Sequence, residues 1–177
     1  MLERRIRIAA VLLGAFMLLS ACGNVAETVA EQVAEQAGGG NVELDIDDDG
    51  GNVSIETDDG SMEIGSDLEL PDDLLVEVPG GGSVTSVFDF DSDISVVVSY
   101  DIEEFEDLID FYTDWTANQS EDFQASTSEF DSADGISFRT AVWFGETGTS
   151  INLTSCRSAD STEDDPDAVC LTISQPK

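Results

Sequence analysis

The chain has 177 residues, a formal net charge of −33 at neutral pH and no histidine. Six basic residues against 39 acidic ones exclude nucleic-acid binding, because phosphate contacts need lysine and arginine. Without histidine, Ser-His-Asp, Cys-His and His-metal chemistry are excluded as well. The acidity predicts a solvated surface whose natural counterparts are cations, cationic partners or a saline habitat.

Residues 1–21 are predicted to be an export signal. Three arginines within the first seven residues precede an unbroken apolar stretch over residues 8–19. That stretch is shorter than the roughly 20 residues that a helix needs to cross a bilayer. A basic start, a short apolar run and small residues after it are typical of a cleaved signal.

The sequence LSAC, residues 19–22, resembles the lipobox of bacterial lipoproteins. The resemblance implies cleavage between Ala21 and Cys22 and a thioether-linked diacylglycerol on the Cys22 thiol, with palmitate-type chains. Because each buried methylene contributes about 0.8 kcal/mol, an anchor of two or three chains would hold the protein on its membrane. The expected location is therefore the extracytoplasmic face of the cell membrane. An ordinary signal with a chance cysteine and an uncleaved anchor are the alternatives.

Three further segments precede the main domain. Residues 22–40 predict a lipidated N-terminus and a short helical tether, since valines recur at four-residue spacing before a triple glycine. Residues 41–65 predict a small, acidic, three-stranded β meander, because apolar and polar residues alternate between Asp-Gly turns. Residues 66–82 contain Pro71 and Pro79 and predict an extended linker.

Residues 83–177 predict an α+β domain. Strand-like runs occupy residues 83–90, 94–100, 123–130, 136–144, 149–156 and 168–174. Between the second and third runs, apolar residues form one stripe at helical spacing: Ile102, Phe105, Leu108, Ile109, Tyr112 and Trp115. Asp101 with Glu104 predicts a capping box at the start of this helix. The order β-β-α-β-β-β-β predicts an antiparallel sheet with one helix packed on it.

The run over residues 136–144 has two different sides. Ile136, Phe138, Val142 and Phe144 share one face, and Arg139 and Trp143 point the other way. The second pair is predicted to lie outward. There it would join a binding face, cover a sheet surface or touch the preceding meander.

Cys156 and Cys170 lie on successive runs, off the apolar face. If they face each other directly, Leu153 meets Ile173 inside, so the register is self-consistent. Since an exported protein occupies an oxidising compartment, a disulfide is predicted. In the chain-entropy model its loop of about 15 residues is worth roughly 3 kcal/mol. A redox pair or metal site is the alternative, but the spacing is not CxxC and no histidine completes a zinc site.

Residues 45–56, DIDDDGGNVSIE, match the D-x-D-x-D-G-x5-E spacing of an EF-hand calcium loop. By that resemblance, calcium would be bound by Asp45, Asp47, Asp49, Gly51 and Glu56. No helical pattern flanks the segment, and Val53 provides no side-chain ligand at the ninth position. A polar turn between two short strands is the alternative. No other cofactor is expected.

Taken whole, the chain resembles uncharacterised exported lipoproteins of actinobacteria. The resemblance rests on the lipobox, on repeats like GNVSIETDDGSMEIG, and on a helix that ends in an FYTDW-like sequence before a β meander. It implies a cellular location and a fold, and it implies no activity. The expected function is a non-enzymatic, membrane-anchored lipoprotein that displays its domain to an unknown envelope protein or ligand. The alternatives are a calcium-binding or cation-stabilised surface module and a carboxylate-based hydrolase.

Overall fold

The computed structural model describes residues 43–46, 52–131, 137–156 and 167–177. The predicted signal, Cys22, the helical tether, and Asp47, Asp49 and Gly51 of the acidic loop lie outside these residues. The chain divides into two compact units, residues 1–58 and 59–177. The described residues are mostly antiparallel sheet with one α-helix, which confirms the coarse α+β prediction.

The first unit contains two paired strands, β1 (Glu43–Ile46) and β2 (Val53–Thr57). They are antiparallel, with Leu44 opposite Ile55 and Asp45 opposite Ser54. The register thus pairs apolar with apolar and polar with polar residues. Such a pattern is what specifies one register for a short acidic segment.

The described residues of the second unit form seven strands and one helix. They are β3 (Gly60–Ile64), β4 (Ser83–Phe90), β5 (Asp93–Asp101), α1 (Phe105–Ala117), β6 (Phe123–Asp131), β7 (Ser137–Gly145), β8 (Ser150–Cys156) and β9 (Ala168–Pro176). The strands lie in the order β3-β4-β5-β9-β8-β7-β6. The third strand of the predicted meander is thus β3, which pairs with β4 and belongs to this sheet. The last strand of the chain, β9, lies at the centre of the seven.

Helix α1 covers one side of the sheet through its apolar stripe. Phe105, Leu108 and Tyr112 are buried in one cluster with the aliphatic residues of β5, β8 and β9. The predicted capping box is wrong, because the Asp101 side chain makes no capping hydrogen bond. Asp101 ends β5, and a 3-10 turn, Ile102–Glu104, separates it from the helix. Acidic residues in the first turn of α1 still face the positive end of the helix dipole.

Part of the predicted linker packs on the second unit. We call residues 73–79 the strap. Val76 is 3% exposed and belongs to the core cluster, and Leu74 and Val78 pack against that cluster. An extended segment with alternating apolar residues therefore adds to the core and is more than a spacer between domains.

Gln175 of β9 holds the strap by its backbone. The Gln175 side chain is nearly fully buried. Its Oε1 accepts hydrogen bonds from the N–H groups of Leu75, at 2.8 Å, and Val76, at 3.4 Å. Its Nε2 donates to the carbonyl oxygen of Asp73 at 3.0 Å. One buried amide thus satisfies three backbone groups that no strand pairs.

Both tyrosines of the chain also hold the strap. The Tyr100 hydroxyl donates to the carbonyl oxygen of Pro79 at 2.7 Å, and the Tyr112 hydroxyl donates to that of Glu77 at 3.0 Å. Burial, with a smaller contribution from the Glu104 charge, raises the pKa of Tyr100 to about 12. Burial raises the pKa of Tyr112 well above its usual range. Both phenols are therefore protonated donors at neutral pH.

Cys156 and Cys170 form the predicted disulfide, with their Cα atoms 5.8 Å apart. The predicted register is wrong by two residues, since Leu153 pairs with Leu171 and not with Ile173. The cysteines are therefore diagonal neighbours. A shift of two leaves every side chain on its predicted face, so alternation alone did not distinguish the two registers.

Candidate functional site

Strand β7 presents its two sides opposite to the prediction. Trp143 is 2% exposed, and its ring centroid lies 5.8 Å from that of Tyr112 on α1. Arg139 lies on the same side, with its guanidinium 4.3 Å from the centroid of the Phe105 ring. Phe144, predicted inside, is 58% exposed. The strand has apolar residues on both sides, so only the position of the helix decides which side is buried.

We call the side of the sheet opposite α1 the back face. The strand pairings arrange its residues in rows that cross the sheet. One row crosses all seven strands: Met62, Phe88, Ser95, Ser174, Ser150, Phe144 and Gln124. The next also crosses all seven: Ile64, Ser86, Val97, Thr172, Asn152, Val142 and Ser126. The third crosses six, from β4 to β6: Ser83, Ser99, Cys170, Thr154, Thr140 and Ser128.

The three rows contain no charged side chain, although 25% of the residues of the chain are charged. Asp93 and Asp101 reach this side at the two ends of β5, outside the rows. Within the rows, hydroxyl and amide groups bond to one another. The Ser95 and Ser174 hydroxyl oxygens are 2.9 Å apart, and the Thr154 hydroxyl donates to the Asn152 side chain at 3.1 Å. The back face is a neutral surface on a strongly acidic protein.

Within the described part of the chain, the back face is accessible to solvent. Every residue of the three rows is half-buried or exposed, whereas the opposite side of the central strands β5, β8 and β9 is buried. At one end Phe130 is 58% exposed and stacks on Phe138, with the ring centroids 5.3 Å apart. Exposed aromatics combined with few charges are the compositional mark of a protein-binding surface.

No family model, curated protein or solved structure matches this chain.

Two of the predicted calcium ligands lie among the described residues. Asp45 is in β1 and Glu56 is in β2, and both are exposed. Strands thus flank the segment where an EF-hand has helices. Among the described residues, no group of three or more His, Cys, Asp or Glu side chains is placed to hold a metal ion. Nor does this part of the chain contain an α-helix long and apolar enough for a membrane span.

A shallow pocket of about 410 Å³ lies beside β3 and β4, and its lining includes Glu63, Asp67, Glu69 and Asp89. Lys177 forms an ion pair with Asp89. Leu68, Leu70, Pro71 and Val87 also line the pocket, but its four carboxylates give it the acidic character of the general surface. The back face differs from everything around it, so it is the stronger candidate.

The prediction missed the back face as a site. The signal was present in the sequence, because Ser95, Asn152, Thr154, Thr172 and Ser174 stand where exposed positions of an acidic chain usually carry carboxylates. Alternation identified these positions as outward-facing. Their positions become neighbours only because β9 lies between β5 and β8 in the sheet.

Proposed function

We propose that the protein is an exported, non-enzymatic lipoprotein that is anchored through a lipid on Cys22 and binds an envelope protein or ligand through its back face. Removal of residues 1–21 leaves the lipidated cysteine at the N-terminus, and residues 22–40 tether the folded units to the membrane. The observation that carries the proposal is the uncharged back face of a chain whose net charge is −33.

Desolvation is the physical reason to assign binding to this face. Covering a carboxylate without a counter-charge costs several kcal/mol, because its hydration is lost. A partner that covers the three rows removes only hydroxyl, amide and apolar groups from water. The Phe144 ring, which is more than half exposed, gains most from being covered.

Redox chemistry supports the exported location, and charge determines how the domain would stand at the membrane. An acidic domain is repelled by anionic lipid head groups, so it stands away from the surface that its anchor enters. The Cys156–Cys170 disulfide suits an oxidising compartment.

The anchor is tested by the mass of the N-terminal peptide of the full chain, expressed in a bacterium that processes lipoproteins. The wild-type peptide is expected to begin at Cys22 and to carry acyl chains, and the protein is expected in the membrane fraction. Cys22→Ser is expected to abolish both. A wild-type peptide with an unmodified Cys22 thiol would refute the anchor.

The binding face is tested in the same cells with a photoreactive amino acid at one of two positions. Val142 lies in the middle of the back face, and Thr113 is exposed on α1, on the opposite side of the sheet. Illumination is expected to cross-link a discrete product from position 142 and none from position 113. Equal products from both positions, or none from position 142, would refute the assignment.

A further inference from the structure

We propose that the partner of the back face is a second copy of this chain, so that two sheets pack face to face in a symmetric dimer. The inference rests on the proposed function in one respect, namely that the back face is the binding surface.

Electrostatics favours this partner and this geometry. Two copies of so acidic a chain repel one another at any surface rich in carboxylates. Packed through the three rows of their back faces, they bring together only neutral groups. Asp93 and Asp101 lie outside the rows, at the two ends of β5, and the acids of α1 point away on both outer sides. Face-to-face sheets lie about 10 Å apart. Because this exceeds the Debye length of about 8 Å at physiological salt, the charges on the two outer sides are largely screened from each other.

The strand order gives the dimer a natural two-fold axis. β9 is the central strand of the seven. A two-fold axis that runs along β9 between the sheets places β4 of one copy over β7 of the other, because each lies two strands from the centre. In the first row these strands contribute Phe88 and Phe144. Each aromatic ring then meets the partner's other ring, as an isologous interface requires.

The area is sufficient for a stable interface. Seven strands at about 4.8 Å span roughly 34 Å, and six residues of strand span roughly 20 Å. The product is about 680 Å² for each copy, or about 1,400 Å² in total. This lies within the range of about 1,200 to 2,000 Å² that specific protein complexes bury. Copies that share one membrane also meet at a raised effective concentration.

The test is sedimentation velocity of the chain as cells produce it, extracted in a mild detergent, with salt varied. Between about 0.01 M and about 1 M sodium chloride the Debye length falls from roughly 30 Å to roughly 3 Å. A dimer whose tightness increases with salt is expected. Asn152→Asp adds one charge to the centre of the face, and its carboxylate can still accept the Thr154 hydrogen bond. It is expected to weaken dimerisation at least about tenfold near 0.15 M salt, because each dimer then buries two added charges.

Thr113→Glu is the matched control, since it adds a charge to the exposed side of α1 and is expected to change the dimer dissociation constant less than about twofold. Circular dichroism verifies that both variants are folded. A monomer at every salt concentration, a dimer that tightens as salt falls, or equal weakening by both variants would overturn the dimer. A cross-link from position 142 to a different protein, with a monomeric chain, would overturn the dimer and support the proposed function. An unmodified Cys22 would refute the anchor, and sedimentation would still decide whether the chain dimerises.

Discussion

Replacing Gln175 by leucine is expected to release the strap from the sheet. The leucine side chain has a similar volume but cannot bond the N–H groups of Leu75 and Val76 or the carbonyl of Asp73. Each lost hydrogen bond costs about 1 kcal/mol net. Three such bonds therefore predict a loss of about 3 kcal/mol, a large share of the 5 to 15 kcal/mol that is typical of a whole domain.

Urea unfolding, followed by circular dichroism, measures this loss, and hydrogen exchange locates it. In Gln175→Leu the amides of Leu75 and Val76 are expected to exchange much faster, while those of β5 keep their rank as the slowest. Thr127→Leu is the control, because Thr127 is exposed on β6 and lies outside the back face. It is expected to change the free energy of unfolding by less than about 0.5 kcal/mol. A loss below about 1 kcal/mol in Gln175→Leu, or unchanged exchange in the strap, would show that the amide does not hold it.

Three other perturbations follow from the structure. Raising the pH from 10 to 12 is expected to lower the free energy of unfolding, because unfolded tyrosines ionise near pH 10 while the folded pKa of Tyr100 is about 12 and that of Tyr112 is also raised. The stability that the two protonated tyrosines contribute is complete below pH 10. Tyrosinate absorbance that rises with pH before the fold is lost would contradict the predicted direction. Trp143→Phe is expected to lower the free energy of unfolding by less than about 2 kcal/mol, because the indole Nε1 is buried without an acceptor among the described residues and its removal breaks no hydrogen bond there. Trp143→Ala is expected to lower it by about 4 kcal/mol, since it leaves a cavity. Equal losses in urea unfolding would contradict this. Calcium and magnesium at equal ionic strength are expected to raise Tm by equal amounts, because strands flank residues 47–51 where an EF-hand has helices. The double variant Asp47→Ala, Asp49→Ala is expected to show the same rise in Tm. Stabilisation by calcium alone that is lost in this variant would restore the calcium hypothesis.

Local pattern predicted much of the fold. Ile94, Val96, Val98 and Tyr100 alternate strictly with other residues, and all four are buried in β5. Val97 interrupts the polar side of that strand, and its position on the back face explains why an apolar residue is tolerated there. The helical stripe from Phe105 onward was equally clear, because spacing of three and four residues has no competing explanation in a strand.

The failures arose where one pattern fits two arrangements. Phe138, Val142 and Phe144 alternate as well as Ala141 and Trp143 do, so the sequence of β7 does not say which side receives the helix. The register of β8 with β9 has the same ambiguity, since Leu153 can face Leu171 or Ile173 without changing sides. Prolines made the strap resemble a linker, although its alternate apolar residues were compatible with burial.

The candidate site was harder to predict than the fold for a related reason. The site is recognised by the absence of charged side chains on one side of several strands, and these strands are distant in sequence, from Ser95 to Ser174. No local window contains that signal. Only the pairing of β5 with β9 and of β9 with β8 brings the neutral positions into one surface.

Hydroxyl-radical footprinting in intact membranes tests most directly whether a partner covers the back face. Phe144 reports on that face, and Leu75, which is 80% exposed on the strap, is an internal control. In membranes, oxidation of Phe144 is expected to fall several-fold relative to the purified, dilute chain, while oxidation of Leu75 stays the same. Equal oxidation of Phe144 in both samples would contradict the account, because the neutral surface would then be uncovered in the membrane to which the proposal assigns the protein.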